Sequence, residues 1–194
     1  MRDPSDLTRN GVTNQGATGR KAHFSRCGRY RYALERTFSG AGGDSSVLLV
    51  MLNPSTADAE QDDPTIRRCQ GFARRLGAER LLVGNLYAWR ATRPKDLFAA
   101  TDPVGPANDR WLRHLARCAD RIIVAWGAHA PVARSEAVSR LLARYDKPLL
   151  ALGSTAAGQP RHPLYLRSDS PLFEWVVPKP RKVLRTKVWT LPSH

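Results

Sequence analysis

The chain has 194 residues, 42% of them hydrophobic, and a formal net charge of +14. That length suits one domain with its own core. No apolar run approaches the roughly 20 residues a membrane span needs, and the opening MRDPSDLTRN lacks a signal-peptide core, so a cytoplasmic protein with no membrane partner is expected.

The three cysteines, Cys27, Cys69 and Cys118, stand far apart with no CxxC pair, which argues against a zinc site or a disulfide framework. Residues 1–29 hold six basic and two acidic side chains, and residues 178–194 hold five basic and none acidic, so the ends carry +9 and the remainder +5. Basic arms attract polyanions, which makes nucleic acid or a nucleotide the expected partner. The alternative source of so much arginine is codon usage in a GC-rich genome. A monomer is the default expectation.

In chain order, residues 1–22 are rich in Gly, Thr, Asn and Arg and read as a disordered basic arm. A single α/β domain is expected over residues 23–177, followed by a basic tail over 178–194. Tyr30 to Phe38 alternates and runs into the turn-like SGAGGDSS, which predicts an antiparallel strand at the sheet edge. Val47 to Leu52 is a continuous apolar run, as expected of a strand buried on both faces of a parallel sheet. Asp63 and Pro64 then open an amphipathic helix with the stripe Ile66, Cys69, Ala73, Leu76, capped by Asp63, with Arg67, Arg68, Arg74 and Arg75 facing solvent or ligand.

Arg80 to Ala88 predicts a second buried strand ending in Asn85. A long proline-containing loop follows, with one helical turn at Pro94 to Ala99, and loops of that length are usually functional. Asn108 is expected to cap a helix with Trp111, Leu112, Leu115 and Cys118 on its core face. Arg121 to Trp126 and Pro148 to Gly153 read as the third and fourth parallel strands, separated by a helix starting at Pro131. The polar segment around His162 and then Leu172 to Val177 lead into the tail.

Ligands of open α/β sheets bind outside the carboxyl ends of the strands. Asn53, Asn85, the Trp126-Gly127 turn and the His162 loop are therefore expected to converge. A carboxamide has the donor and acceptor that reading a base edge requires, and an imidazole can donate to an oxygen gaining charge or shuttle a proton. An Asx turn before Pro54 is the other reading of Asn53, and a structural loop histidine the other reading of His162.

The stretches MLNPSTAD (51–58), DDPTIRR (62–68), NLYAWRAT (85–92), DPVGPAND (102–109), AWG (125–127) and GQPRHPLYL (158–166) resemble the bacterial family called domain of unknown function 1643. More distantly, Asn53-Pro54-Ser55 resembles the first motif of the uracil-DNA glycosylase superfamily. That resemblance implies a water-positioning role for Asn53, base reading by Asn85, a Trp126-Gly127 turn after the third strand, and a catalytic His162. The His162-Pro163 loop departs from the superfamily in continuing with Leu164 and Tyr165. No aromatic among Ser55 to Pro64 can stack on a base, which leaves Trp89 or Tyr87 for that role.

The expected fold is a three-layer α/β/α domain, glycosylase-like, with a central four-stranded parallel sheet and an antiparallel edge strand. The expected function is a nucleobase-recognising enzyme of glycosylase type acting on an N-glycosidic bond in DNA or a modified nucleotide, with no metal or cofactor. Asn53 and His162 are the candidate catalytic residues. Ser55, Arg67, Asn85, Trp89, Arg90, Trp126 and Arg161 are the candidate binding residues. Two alternatives remain: a non-catalytic nucleic-acid or nucleotide-binding module, and a metal-dependent phosphoester hydrolase using Asp58, Asp62 and Asp63.

Overall fold

A computed structural model describes residues 18–38 and 45–177. The parts of the N-terminal arm at 1–17, the Gly-rich turn at 39–44 and the basic tail at 178–194 lie outside the described residues. Seven strands form one sheet: β1 (Gly19–Phe24), β2 (Arg31–Thr37), β3 (Ser46–Met51), β4 (Arg80–Asn85), β5 (Arg121–Val124), β6 (Leu149–Ala151) and β7 (Phe173–Glu174), in the order β1-β2-β4-β3-β5-β6-β7. The helices are α1 (Pro64–Arg75), α2 (Pro94–Phe98), α3 (Asn108–Cys118) and α4 (Val132–Leu142).

Strands β3 to β6 pair in parallel, while β1 and β2 on one side and β7 on the other pair antiparallel. Three antiparallel strands thus stand where one edge strand is expected. β1 also begins at Gly19, inside the stretch assigned to the arm. Its sequence GRKAHF carries no apolar stripe. It is held by the ladder with β2, in which Lys21 lies opposite Glu35 and His23 opposite Ala33.

β3 shows why the central strands read as unbroken apolar runs. Its alternate residues Val47, Leu49 and Met51 pack with Ile66, Cys69, Phe72 and Ala73 of α1 on one face. Leu48 and Val50 pack with Leu112 and Leu115 of α3 and with Val138 and Leu142 of α4 on the other. Asp63 caps α1 as expected, accepting the Ile66 N–H at 2.8 Å.

Asn108 does not cap α3. The cap position is Ala107, and the buried Asn108 side chain instead donates to the carbonyls of Asn85 and Leu86, at 3.0 Å each. It ties the helix start to the end of β4.

The chain leaves β3 toward β4 on one side and returns to β5 on the other side of β3. A crevice opens outside the carboxyl ends of neighbouring strands wherever the winding reverses in this way. Here it lies between the exits of β3 and β5.

Candidate active-site cleft

A cavity of about 610 Å³ occupies that crevice. Ligand sites of small molecules run to about 300–1,000 Å³. Its wall collects the exit of β3 (Leu52, Asn53, Ser55), the start of α1 (Asp63, Thr65, Ile66), the segment after β4 (Ala91, Thr92, Pro94), the turn after β5 (Trp126 to His129) and the loop after β6 (Thr155, Arg161, His162, Leu164, Tyr165). Arg31 of β2 also lines it.

Asn53 is half-buried and its carboxamide is oriented by two carbonyls. Nδ2 donates to Ala91 at 2.7 Å and to Pro54 at 2.9 Å, and the Ala91 N–H donates back to Pro54 at 3.0 Å. Both amide hydrogens are thereby spent, and Oδ1 is left as an acceptor. The Asx-turn reading does not describe this residue, because its nitrogen makes the bonds.

His162 reaches the cleft through a small hairpin. Thr155 N–H donates to Gln159 at 2.8 Å, Arg161 N–H to Gly153 at 2.8 Å and Gly127 N–H to Pro160 at 2.8 Å. The Trp126 indole N–H donates to Gln159 Oε1 at 2.9 Å. Gly127 has φ +80°, a conformation in which any side chain would be strained, and it lies against His162. Nδ1 of His162 accepts the Leu164 N–H at 3.4 Å, which puts the neutral ring's proton on Nε2. Burial holds the imidazole below the ordinary histidine value, opposed by the negative charge of Asp63.

A family described as "Protein of unknown function (DUF1643)" matches residues 31–164. The chain belongs to this family. No curated protein and no solved structure matches the chain, so the glycosylase resemblance draws no support from those comparisons. For this DUF1643 chain, function is read from the cleft itself.

Of the residues singled out in the sequence, Asn53, Ser55, Trp126, Arg161 and His162 line the cleft. Asn85 does not. It pairs at the level of Met51, and the hydrogen bonds continue beyond it, from Leu86 N–H to Met51 and from Tyr87 N–H to Leu52, so its side chain is only 2% exposed and its Nδ2 has no partner. The strand's approach to the cleft comes later, at Ala91 and Thr92.

Trp89 packs edge-on against Tyr30 at 5.4 Å, and Tyr87 packs edge-on against Phe98 at 5.9 Å, so neither is a stacking platform in the cleft. Arg90 lies over the Phe24 ring at 5.0 Å and donates to Gly28. Arg67 donates to the Asp62 carbonyl and Arg68 to the Leu166 carbonyl. These arginines hold loops rather than ligand.

The acidic patch is likewise engaged. Asp62 pairs with the fully buried Arg36 at 2.7 Å and with Arg20 at 3.3 Å. Asp58 Oδ1 accepts the N–H groups of Glu60 and Gln61, which hold its carboxyl below the usual range. Among the described residues no group of three or more His, Cys, Asp and Glu side chains is placed to hold a metal ion. With Asp58 and Asp62 committed elsewhere, only Asp63 of the three carboxylates lines the cleft.

Asp63 lines the cleft as the alternative carboxylate reading had it, whereas Arg31, His129 and Tyr165, which also line it, were not candidates in the sequence. Tyr165 is 72% exposed and its ring lies 5.8 Å from that of His162. It supplies the cleft aromatic that Trp89 and Tyr87 do not. The run RHPLY carried that signal, an exposed aromatic three residues beyond a candidate catalytic histidine.

Proposed function

We propose that this DUF1643 protein hydrolyses an N-glycosidic bond of a nucleotide or of DNA. The observation that carries the reading is that Asn53 and His162, more than a hundred residues apart in the chain, line one cleft of base-and-sugar size, with Asn53 Oδ1 left as an acceptor. Water held by Asn53 Oδ1 attacks the sugar carbon, forming the C–O bond as the C–N bond breaks. The water's proton passes to Asp63, whose Oδ2 is not used in capping α1. The bonding electrons leave with the base, and the Nε2–H of His162 donates to the base oxygen that gains negative charge. Tyr165 offers a face for the base.

Neutral imidazole suits this donor role, and burial favours the neutral form. The test is release of free base from a panel of uracil, hypoxanthine and damaged-base oligonucleotides and of modified nucleotides, in the presence of a chelator. Release supports hydrolysis. Base-specific binding without release by the wild type assigns the cleft to a binding module.

A further inference from the structure

Arg31 is the least expected residue of the cleft. It is 2% exposed, yet its side chain lines the cavity wall. Of its five guanidinium N–H groups, the structure accounts for one bond, from Nη1 to the Ala57 carbonyl at 2.6 Å. Among the described residues it makes no ion pair, and Nε and Nη2 have no hydrogen-bond partner. Arg31 lines the cavity, where a bound group can meet the donors left over. The carboxylates of Asp63 and Asp58 favour its charge without taking these donors, and buried donors left without partners are costly.

The surroundings fit an anion. Thr65, in the first turn of the 12-residue helix α1, lines the same wall, and its N–H has no partner among the described residues. The N–H groups of Ile66 and Arg67 are already taken by the side chain and the backbone carbonyl of Asp63. The helix dipole adds positive potential at that end. The Arg and Asp residues of the lining are Arg31 and Arg161 against Asp63, one positive charge in excess.

We infer that Arg31 forms the floor of an oxyanion subsite and that the cleft takes its substrate through a phosphate group, which a free base or an unphosphorylated nucleoside lacks. The inference deepens the hydrolysis reading, resting on it for the base and sugar but not for the anion. The planar fork of Arg31 can donate two parallel bonds to a phosphate from Nε and Nη2 while Nη1 stays on Ala57. The phosphate can be the monoester of a nucleotide or a diester of a strand.

Calorimetric titration separates these with four probes: inorganic phosphate, deoxyuridine, its 5′-monophosphate, and a short single strand containing deoxyuridine. The wild type is expected to bind at least one phosphorylated probe at least about tenfold more tightly than the nucleoside, the weight of one charged hydrogen bond. Arg31→Gln should abolish that advantage and Arg31→Lys should keep part of it. An Arg31-dependent gain seen with the monophosphate assigns the subsite to a monoester, and one confined to the strand assigns it to a diester.

Equal affinity for nucleoside and both phosphorylated probes, or an advantage that survives Arg31→Gln, overturns the inference. Should Arg31→Gln fail to fold, the wild-type melting temperature decides. A rise that saturates at millimolar inorganic phosphate, over chloride of equal ionic strength, supports the subsite, and the absence of a saturable rise overturns it. Phosphate binding that depends on Arg31, without base release from any substrate, overturns the hydrolysis and leaves the subsite standing.

Discussion

Asn53 donates to the carbonyl of Ala91 at 2.7 Å, a bond that joins the exit of β3 to the segment following β4 across the mouth of the cleft. The same amide holds Pro54, so the orientation of Oδ1 follows from the two carbonyls. Asn53→Asp replaces a donor by a carboxylate facing those carbonyls and should destabilise more than Asn53→Ala, which loses two neutral hydrogen bonds worth about 1–2 kcal/mol together. Urea unfolding of the two variants measures this. Equal stability of both with the wild type would show that the carboxamide does not hold the elbow.

The buried pair Arg36–Asp62 predicts the largest stability loss. Arg36 is fully buried, and besides Asp62 at 2.7 Å it donates to the carbonyls of Asp58 at 2.6 Å and Glu35 at 2.8 Å. Asp62→Ala leaves that guanidinium without its carboxylate and should cost about 3–5 kcal/mol. A shift of less than about 1 kcal/mol in chemical denaturation would mean that Arg20 and the loop carbonyls suffice.

His162 sets a pH dependence of stability. Burial lowers its pKa in the folded protein, so between that lowered value and the ordinary value of about 6.5 the unfolded chain binds a proton that the native state does not. Its contribution is complete above about pH 6.5 and declines as the pH falls through that window. The wild type should therefore lose more stability than His162→Gln between pH 7.5 and 5.5, read from denaturation midpoints. Parallel losses in the two proteins would contradict it.

The parallel core was legible in the sequence because burial on both faces writes itself as apolar runs such as VLLVML, and Asp63-Pro64 carries its own capping chemistry. Three things were not legible. β1 is a polar strand held by pairing rather than by packing. The pairing of β4 runs two residues past Asn85, so an asparagine that looks like a strand end is enclosed, and register is a property of the partner strand, not of the residue. Arg31 and Arg36 sit in a strand whose alternation suggests outward-facing charges, yet both are buried, one against Asp62 and one at the cleft floor.

Cys27 and Cys69 should differ sharply as nucleophiles. Cys27 is exposed, and hydrogen bonds from Ser25 and Arg29 bring its thiol down to about 7, whereas burial pushes the Cys69 thiol up. Iodoacetamide at neutral pH should modify Cys27 first, with a rate that titrates near pH 7. Faster labelling of Cys69 in the native protein would contradict the burial of α1 against the sheet.

Residues 178–194 hold +5 of the net charge of +14, and residues 1–17 are net neutral. If the basic tail draws in a nucleic-acid partner, deleting residues 178–194 should weaken binding of a strand and flatten its salt dependence, leaving the melting temperature within a few degrees. An unchanged salt slope would assign the binding to the domain alone.

The central claim is that Asn53 and His162 act as one unit on a glycosidic bond, and base release by wild type, Asn53→Ala, His162→Gln and the double variant tests it most directly. The account predicts metal-independent release by the wild type and a loss on the order of 10²-fold in each single variant. The double variant should lose much less than the product of the two. No release from any substrate, or turnover that requires a divalent ion and survives the loss of His162, would contradict it.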